Sequence, residues 1–94
     1  MAISLTPRER SHLKGRAHSL EARVQVGHAG VTDAVAAEVD RALKAHELIK
    51  VKILGDDREE RKEIADALAT RTDAALVQSV GKVIVLWRPN PDEE

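Results

Sequence analysis

Two stretches of the chain alternate apolar and polar residues with a period of two, which predicts β-strands buried on one face. They are residues 21–26 and the centre of 46–54. Two further apolar stretches, 75–80 and 82–88, are separated by Gly81 alone, and this spacing predicts a tight antiparallel hairpin. The stretch 82–88 is apolar on both faces, a pattern typical of a strand in the middle of a sheet.

Three other segments repeat apolar residues at helical spacing. The predicted helices run from residue 7 to about 18, from 32 to about 45 and from 57 to about 72. Thr6 and Glu9 form a capping box in front of the first helix. The third helix has only a narrow apolar stripe of Ile64, Ala67 and Leu68, so we expect it to pack on one side.

The predicted order is therefore α-β-α-β-α-β-β, which belongs to the α/β class. Strands that alternate with helices favour parallel pairs in a compact two-layer α/β sandwich, to which the hairpin adds one antiparallel strand. The 94 residues suit a single domain over 1–94, with a core at about 5–89. We expect the acidic end, 90–94, to be a disordered tail.

The composition narrows the class of protein. With 33% charged and 43% hydrophobic residues, the chain is expected to be soluble and globular. It has no cysteine, which excludes disulfides, thiolate metal sites and cysteine nucleophiles. No apolar run is long enough to span a membrane, and the first residues lack the features of a signal peptide. We expect a cytoplasmic protein that does not bind membranes.

The net charge of −1 hides an asymmetry along the chain. Residues 1–30 contain five Lys/Arg against two Asp/Glu, a net of +3. Residues 31–94 contain ten against fourteen, a net of −4. A local basic patch can bind nucleic acid even on a mildly acidic protein, although such residues also suit a solvated helix face.

Gly27-His28-Ala29-Gly30, called the glycine loop below, joins the first strand to the second helix. Glycines at both ends let the backbone take positive φ and approach a partner closely. The following helix directs unpaired N–H groups at an anion such as a phosphate. In one known module a loop of this type clamps single-stranded nucleic acid, but two glycines at this spacing also fit a plain turn.

The sequence contains no pattern that favours catalysis. It lacks a phosphate-binding lysine loop, a dinucleotide fingerprint and a nucleophile elbow. Its histidines, His12, His18, His28 and His46, lack the helical spacing of zinc ligands. We therefore predict no catalytic residue, no metal, no cofactor and no small-molecule substrate, and hence a protein that is not an enzyme.

Four blocks of the chain together resemble the CRM domain (chloroplast RNA splicing and ribosome maturation), in particular its bacterial stand-alone YhbY-like members. The blocks, spread over about 5–89, are 13–18, Gly27–Gly30, 46–53, and Gly81-Lys82 leading to Leu86-Trp87-Arg88. The resemblance implies the fold of the C-terminal domain of translation initiation factor three: a four-stranded mixed sheet in the order 1-2-4-3, with strand four antiparallel.

The resemblance also implies RNA binding, in bacterial members to precursors of the large ribosomal subunit. The implied contact surface is the glycine loop with neighbouring basic residues, which gives the predicted RNA-binding set Gly27, His28, Ala29, Gly30, Arg8, Arg10, Lys14, Arg16, Arg23, Lys50 and Lys52. We expect a monomer that assists ribosome assembly. The alternative is a protein-interaction module that docks on a ribosomal protein without touching RNA.

Two positions depart from the family pattern. Members often carry lysine or asparagine at the loop tip, where this chain has His28-Ala29, and His28 adds charge only when protonated. Near the end of the last strand Trp87 replaces the common tyrosine. Trp87 could stack on a base or pack in the core, and the sequence leaves both interpretations open.

Overall fold

The computed structural model describes residues 5–89, so the predicted acidic tail at 90–94 lies outside the described part. All seven predicted elements are present in the predicted order, with ends that shift by a residue or two. Their bounds are α1 Pro7–Ala17, β1 Ala22–Val26, α2 Asp33–His46, β2 Leu48–Ile53, α3 Arg58–Arg71, β3 Ala75–Val80 and β4 Val83–Trp87. None of the helices within 5–89 is both long and apolar enough to cross a membrane.

Each helix begins at a side chain that caps it. The Thr6 hydroxyl accepts from the Glu9 N–H at 3.1 Å, and the Glu9 carboxylate accepts from the Thr6 N–H at 3.0 Å, which completes the predicted capping box. Hydrogen bonding of the Glu9 carboxylate to Thr6, chiefly to its backbone N–H, holds the pKa of Glu9 below its usual value. Thr32 caps α2 and Asp57 caps α3 in the same way.

The sheet has the order β1-β2-β4-β3. Strands β1 and β2 are parallel, while β4 is antiparallel to both of its neighbours, β2 and β3. The predicted order 1-2-4-3 with an antiparallel fourth strand is thus confirmed. The central place of β4 explains its apolar pattern, because Ile84, Val85 and Leu86 are all buried.

Helices cover both faces of the sheet. On one face α2 and α3 pack on a cluster that includes Val26, Leu43 and Ile53. On the other face α1 contributes Leu13 and Ala17 to a second, smaller cluster, whose remaining members are Leu48, Val77 and Val85. The half-buried Trp87 packs against this α1 cluster. The predicted two-layer sandwich therefore gains a partial third layer, because a strand that is apolar on both faces needs cover on both.

Two predicted apolar faces differ in detail. In α3 the buried residues include Ala65 and Ala69 beside Leu68, whereas Ala67 is exposed. Ala67 and the pair Ala65 and Ala69 both fit helical spacing. Because alanine is only weakly hydrophobic, the sequence does not show which of them faces the core. Ala22, expected on the buried face of β1, is exposed next to a shift of register between Ala22 and Val24.

Candidate nucleic-acid interface

The glycine loop is a hydrogen-bonded turn at the end of β1, with its tip exposed. The Gly30 N–H donates to the Gly27 carbonyl at 3.0 Å, and Gly30 has a φ of 74°, which disfavours any residue with a Cβ. His28 and Ala29 form the exposed tip. No heavy atom lies within 4 Å of the position that a Cβ would take on Gly27 or Gly30. The loop backbone is therefore accessible to a partner that approaches closely.

The start of α2 lies directly behind this loop and carries an acidic residue. Asp33 opens the helix with a side chain that is 96% exposed. Its charge would repel a phosphate, but Arg71 of α3 forms an ion pair with it. Sequence reasoning missed Arg71, because 38 residues separate the two partners and no local pattern links them.

Lys50 and Lys52 lie on the sheet face that α1 partly covers. Their neighbours Ile49 and Ile53 pack with α2 and α3, while Leu48 packs with α1, so the lysines point to the α1 side by alternation. Lys52 pairs with Gln25 in the parallel register, two residues before the glycine loop begins. Both lysines are half-buried, and neither forms a salt bridge with a carboxylate of residues 5–89.

Arg16 and Arg23 come together at the opposite end of β1. They line a cavity of about 130 Å³ with Leu20, His46 and Leu48, and this set is called the arginine pocket below. The start of β2 and the end of α2 reach it through Leu48 and His46. The local sequence does not indicate that His46 lies beside Arg16, because this contact depends on how α1 packs.

The other predicted cations of α1 are divided between two situations. Arg8 is exposed and Lys14 is half-buried, and no salt bridge joins either to a carboxylate within the described residues. Arg10 instead donates from Nη1 to the carbonyls of Leu76 and Val77, at 2.6 and 2.8 Å. Arg10 thus stabilises the edge strand β3 beside its register shift, and its contact with RNA stays a prediction.

The described residues contain no group of three or more His, Cys, Asp or Glu side chains that could hold a metal ion. A cavity of about 590 Å³ lies between α3 and the β3–β4 turn, and its lining mixes Arg58 and Lys62 with Glu59 and Asp66. On the α1 side of β1 and β2, cations without a carboxylate partner among the described residues lie beside the glycine loop and in the arginine pocket.

A family model of the CRS1/YhbY (CRM) domain matches residues 5–88, which include every helix and strand described above. The chain belongs to this CRM family. The resemblance found in the sequence is thereby confirmed. The family pattern also contains Arg88, which in this fold donates to the Asp40 carboxylate and to the Thr72 carbonyl, at 2.8 and 2.7 Å.

Three relatives of this CRM chain match it over at least 90% of their own length. A Haemophilus influenzae protein named "RNA-binding protein" is 44% identical over 89 residues, which are 95% of this chain and 90% of the relative. The Bacillus subtilis "Probable RNA-binding protein YqeI" is 36% identical over 90 residues, which are 96% of this chain and 94% of the relative. The solution structure of a Staphylococcus aureus hypothetical protein, suggested to bind RNA, matches this fold with a TM-score of 0.84 at 31% sequence identity. The match covers 97% of this chain and 95% of that protein.

Proposed function

We propose that this CRM protein binds ribosomal RNA in precursors of the large ribosomal subunit and assists their assembly in the cytoplasm, without catalysing a reaction. The observation that carries the proposal is the accessible backbone of the glycine loop at the start of α2. Membership of a family whose relatives are named RNA-binding proteins supports RNA as the partner.

The loop would act on the phosphate backbone. Backbone N–H groups at a helix start hold anions well, because they are unpaired and carry the positive end of the helix dipole. Lys50 and Lys52 on the neighbouring strand would add attraction that does not depend on RNA sequence. The uncharged Ala29 and the exposed His28 give the tip little fixed charge, so the backbone and the strand lysines would supply most of the binding.

The salt dependence of binding tests this electrostatic mechanism. Affinity for single-stranded RNA should fall steeply as salt is added. The logarithm of the association constant should fall linearly with the logarithm of the salt concentration, with a slope of about −0.7 for each phosphate neutralised. Fluorescence anisotropy at several salt concentrations measures it. An affinity that stays flat between low and moderate salt would exclude phosphate neutralisation as the source of binding.

The loop itself is tested by His28→Asp with Ala29→Asp. Both positions are exposed, so the variant should fold normally, while two carboxylates at the tip should repel phosphate and lower RNA affinity by about tenfold or more, or about 1.4 kcal/mol. Ala67→Asp with Thr70→Asp is the matched control, because it adds the same charge at exposed positions of α3. Equal affinity of the two folded variants would remove the loop from the site.

The ribosomal part of the proposal needs a separate experiment. The tagged protein should sediment with particles at or just below the free large subunit at low salt and leave them after nuclease treatment. Association that survives nuclease would favour docking on a ribosomal protein instead. A protein that stays at the top of the gradient would contradict the link to the ribosome.

A further inference from the structure

The arginine pocket is separated from the glycine loop by the length of β1. Arg23 stands at the start of this strand, inside the register shift between Ala22 and Val24, and Gly27 follows its end. At about 3.3 Å per residue, the four steps between them span about 13 Å. The pocket is therefore a second place on the same sheet edge, and the loop does not extend into it.

The chemistry of the pocket suits a phosphate group. The pocket is lined by two arginines, Arg16 and Arg23, together with His46, and arginine guanidinium groups bind phosphate through two parallel hydrogen bonds. No carboxylate lines the pocket itself, and neither arginine forms a salt bridge with an acid of the described chain. The adjoining cavity, which shares Leu20 and Arg23 with the pocket, includes Glu21. Its remaining lining is Leu20 and Leu48, an apolar surface against which a sugar or base can lie.

Between the pocket and the loop lie the two lysines of β2. Lys50 pairs with Ala22 at the pocket end of β1, and Lys52 pairs with Gln25 at the loop end. Both point to the α1 side of the sheet, the side on which Leu48 lines the pocket. Positive charge thus continues along the edge of the sheet from one end of β1 to the other.

We propose that the arginine pocket is a second phosphate-binding point, and that the RNA is an extended single strand lying along β1 and β2 from the glycine loop to the pocket. The inference rests on the proposed RNA binding and adds the class of RNA and its path. A single strand can follow a strand edge and turn a base toward Leu20 and Leu48. A duplex keeps its bases stacked inside and offers only its shape and backbone.

The test compares RNA lengths in a variant that removes both pocket charges, Arg16→Gln with Arg23→Gln. Oligouridylates of about two and about ten nucleotides separate the loop from the whole path, because a dinucleotide is too short to span the roughly 13 Å between loop and pocket. For the longer RNA the variant should lose about tenfold in affinity, and its salt slope should fall by about 1.4, or 0.7 for each of two phosphates. For the shorter RNA the loss should stay below about twofold.

Arg58→Gln with Lys62→Gln is the matched control, because it removes two cations from the cleft beside α3 and leaves the pocket intact. Amide NMR spectra show that each variant is folded. Equal losses for the pocket and control variants, equal losses for short and long RNA, or tighter binding of a duplex of the same length would each overturn the proposal. Binding of no RNA by the wild-type protein would instead overturn the proposed function beneath it.

Discussion

The cations on the two sides of the sheet differ in their partners. On the side of α2, α3 and the β3–β4 turn, an aspartate pairs with each of Lys44, Arg71, Lys82 and Arg88. On the side of α1, β1 and β2, no salt bridge to a carboxylate within 5–89 is formed by Arg8, Lys14, Arg16, Arg23, Lys50 or Lys52. Charge on the first side holds the fold together, whereas charge on the second side is available to a polyanion.

The division is not complete, and its exceptions are informative. On the α2–α3 side Arg41, Arg58 and Lys62 form no ion pair within the described residues, and Arg61 donates to the Gly55 carbonyl instead. Glu59 and Asp66 line the same cleft as Arg58 and Lys62 and offset their charge. On the α1 side Arg10 is engaged by carbonyl groups of β3. The net charge of a segment therefore predicts whether its surface is basic or acidic. The role of each cation depends on the carboxylate or carbonyl groups that it contacts.

The largest effect on folding is expected for Arg88→Ala. The Arg88 side chain is only 15% exposed, and its removal leaves the Asp40 carboxylate and the carbonyl of the buried Thr72 without these donors. We expect a loss of about 2–3 kcal/mol in the free energy of unfolding. Urea denaturation measures it. Arg41→Ala, an exposed cation of α2, is the control and should change stability by less than about 0.5 kcal/mol.

The opposite pattern is expected for Lys50→Gln with Lys52→Gln. Glutamine keeps much of the side-chain stem that packs on the sheet, so stability should change by less than about 0.5 kcal/mol. RNA affinity should fall by about tenfold, which corresponds to about 1.4 kcal/mol. Anisotropy titration measures the loss against the Arg58→Gln, Lys62→Gln control. If the lysine variant unfolds easily and keeps its RNA affinity, the two sides do not differ in the way described.

Arg10→Ala tests the exception on the α1 side. The substitution leaves the carbonyls of Leu76 and Val77 without their donor, so we expect a loss of about 1 kcal/mol in stability. RNA affinity should change by less than about twofold, since Nη1 is already occupied. Arg8→Ala, two residues away and exposed, should leave stability unchanged. If the folded Arg10→Ala protein loses affinity as strongly as the lysine variant, Arg10 belongs to the RNA site.

Local patterns were sufficient to predict the elements and the common face of Lys50 and Lys52. Alternation in 46–54 places Lys50 and Lys52 on one face, and the residues around Thr6 and Thr32 fix where two helices begin. The side that each helix covers could not be predicted in the same way. Layer assignment depends on how α1 folds back onto β2, β3 and β4, and the spacing within α1 contains no information on that docking.

The partners of individual cations were beyond local patterns as well. Arg10 meets Val77 across 67 residues, and Arg88 meets Asp40 across 48. In the sequence Arg10 looks the same as Arg8 or Arg16, because all three are arginines of the same helix. Only the register shift in β3, which brings two carbonyls within reach of one guanidinium, separates a structural arginine from the exposed ones.

The smallest expected effect concerns the pH dependence of the Arg88–Asp40 pair. The hydrogen bond from Arg88 holds the pKa of Asp40 below its usual value, with a smaller contribution from Lys44. The folded pKa lies below the unfolded value of about 3.9, so the pair stabilises the fold above that pH and this stabilisation is lost as pH falls through the folded pKa.

Asp40→Asn should therefore cost about 0.5 kcal/mol near neutral pH, a small value because the Asp40 side chain is 40% exposed and solvent screens the pair. The difference from wild type should shrink below a pH of about 4. Asp56→Asn is the matched control, since its pair with Lys82 involves a fully exposed carboxylate and should show no such trend. Urea denaturation across the pH range measures both. A cost for Asp40→Asn that stays constant down to acid pH would assign the effect to packing, and charge pairing would then no longer distinguish the α2–α3 side from the α1 side.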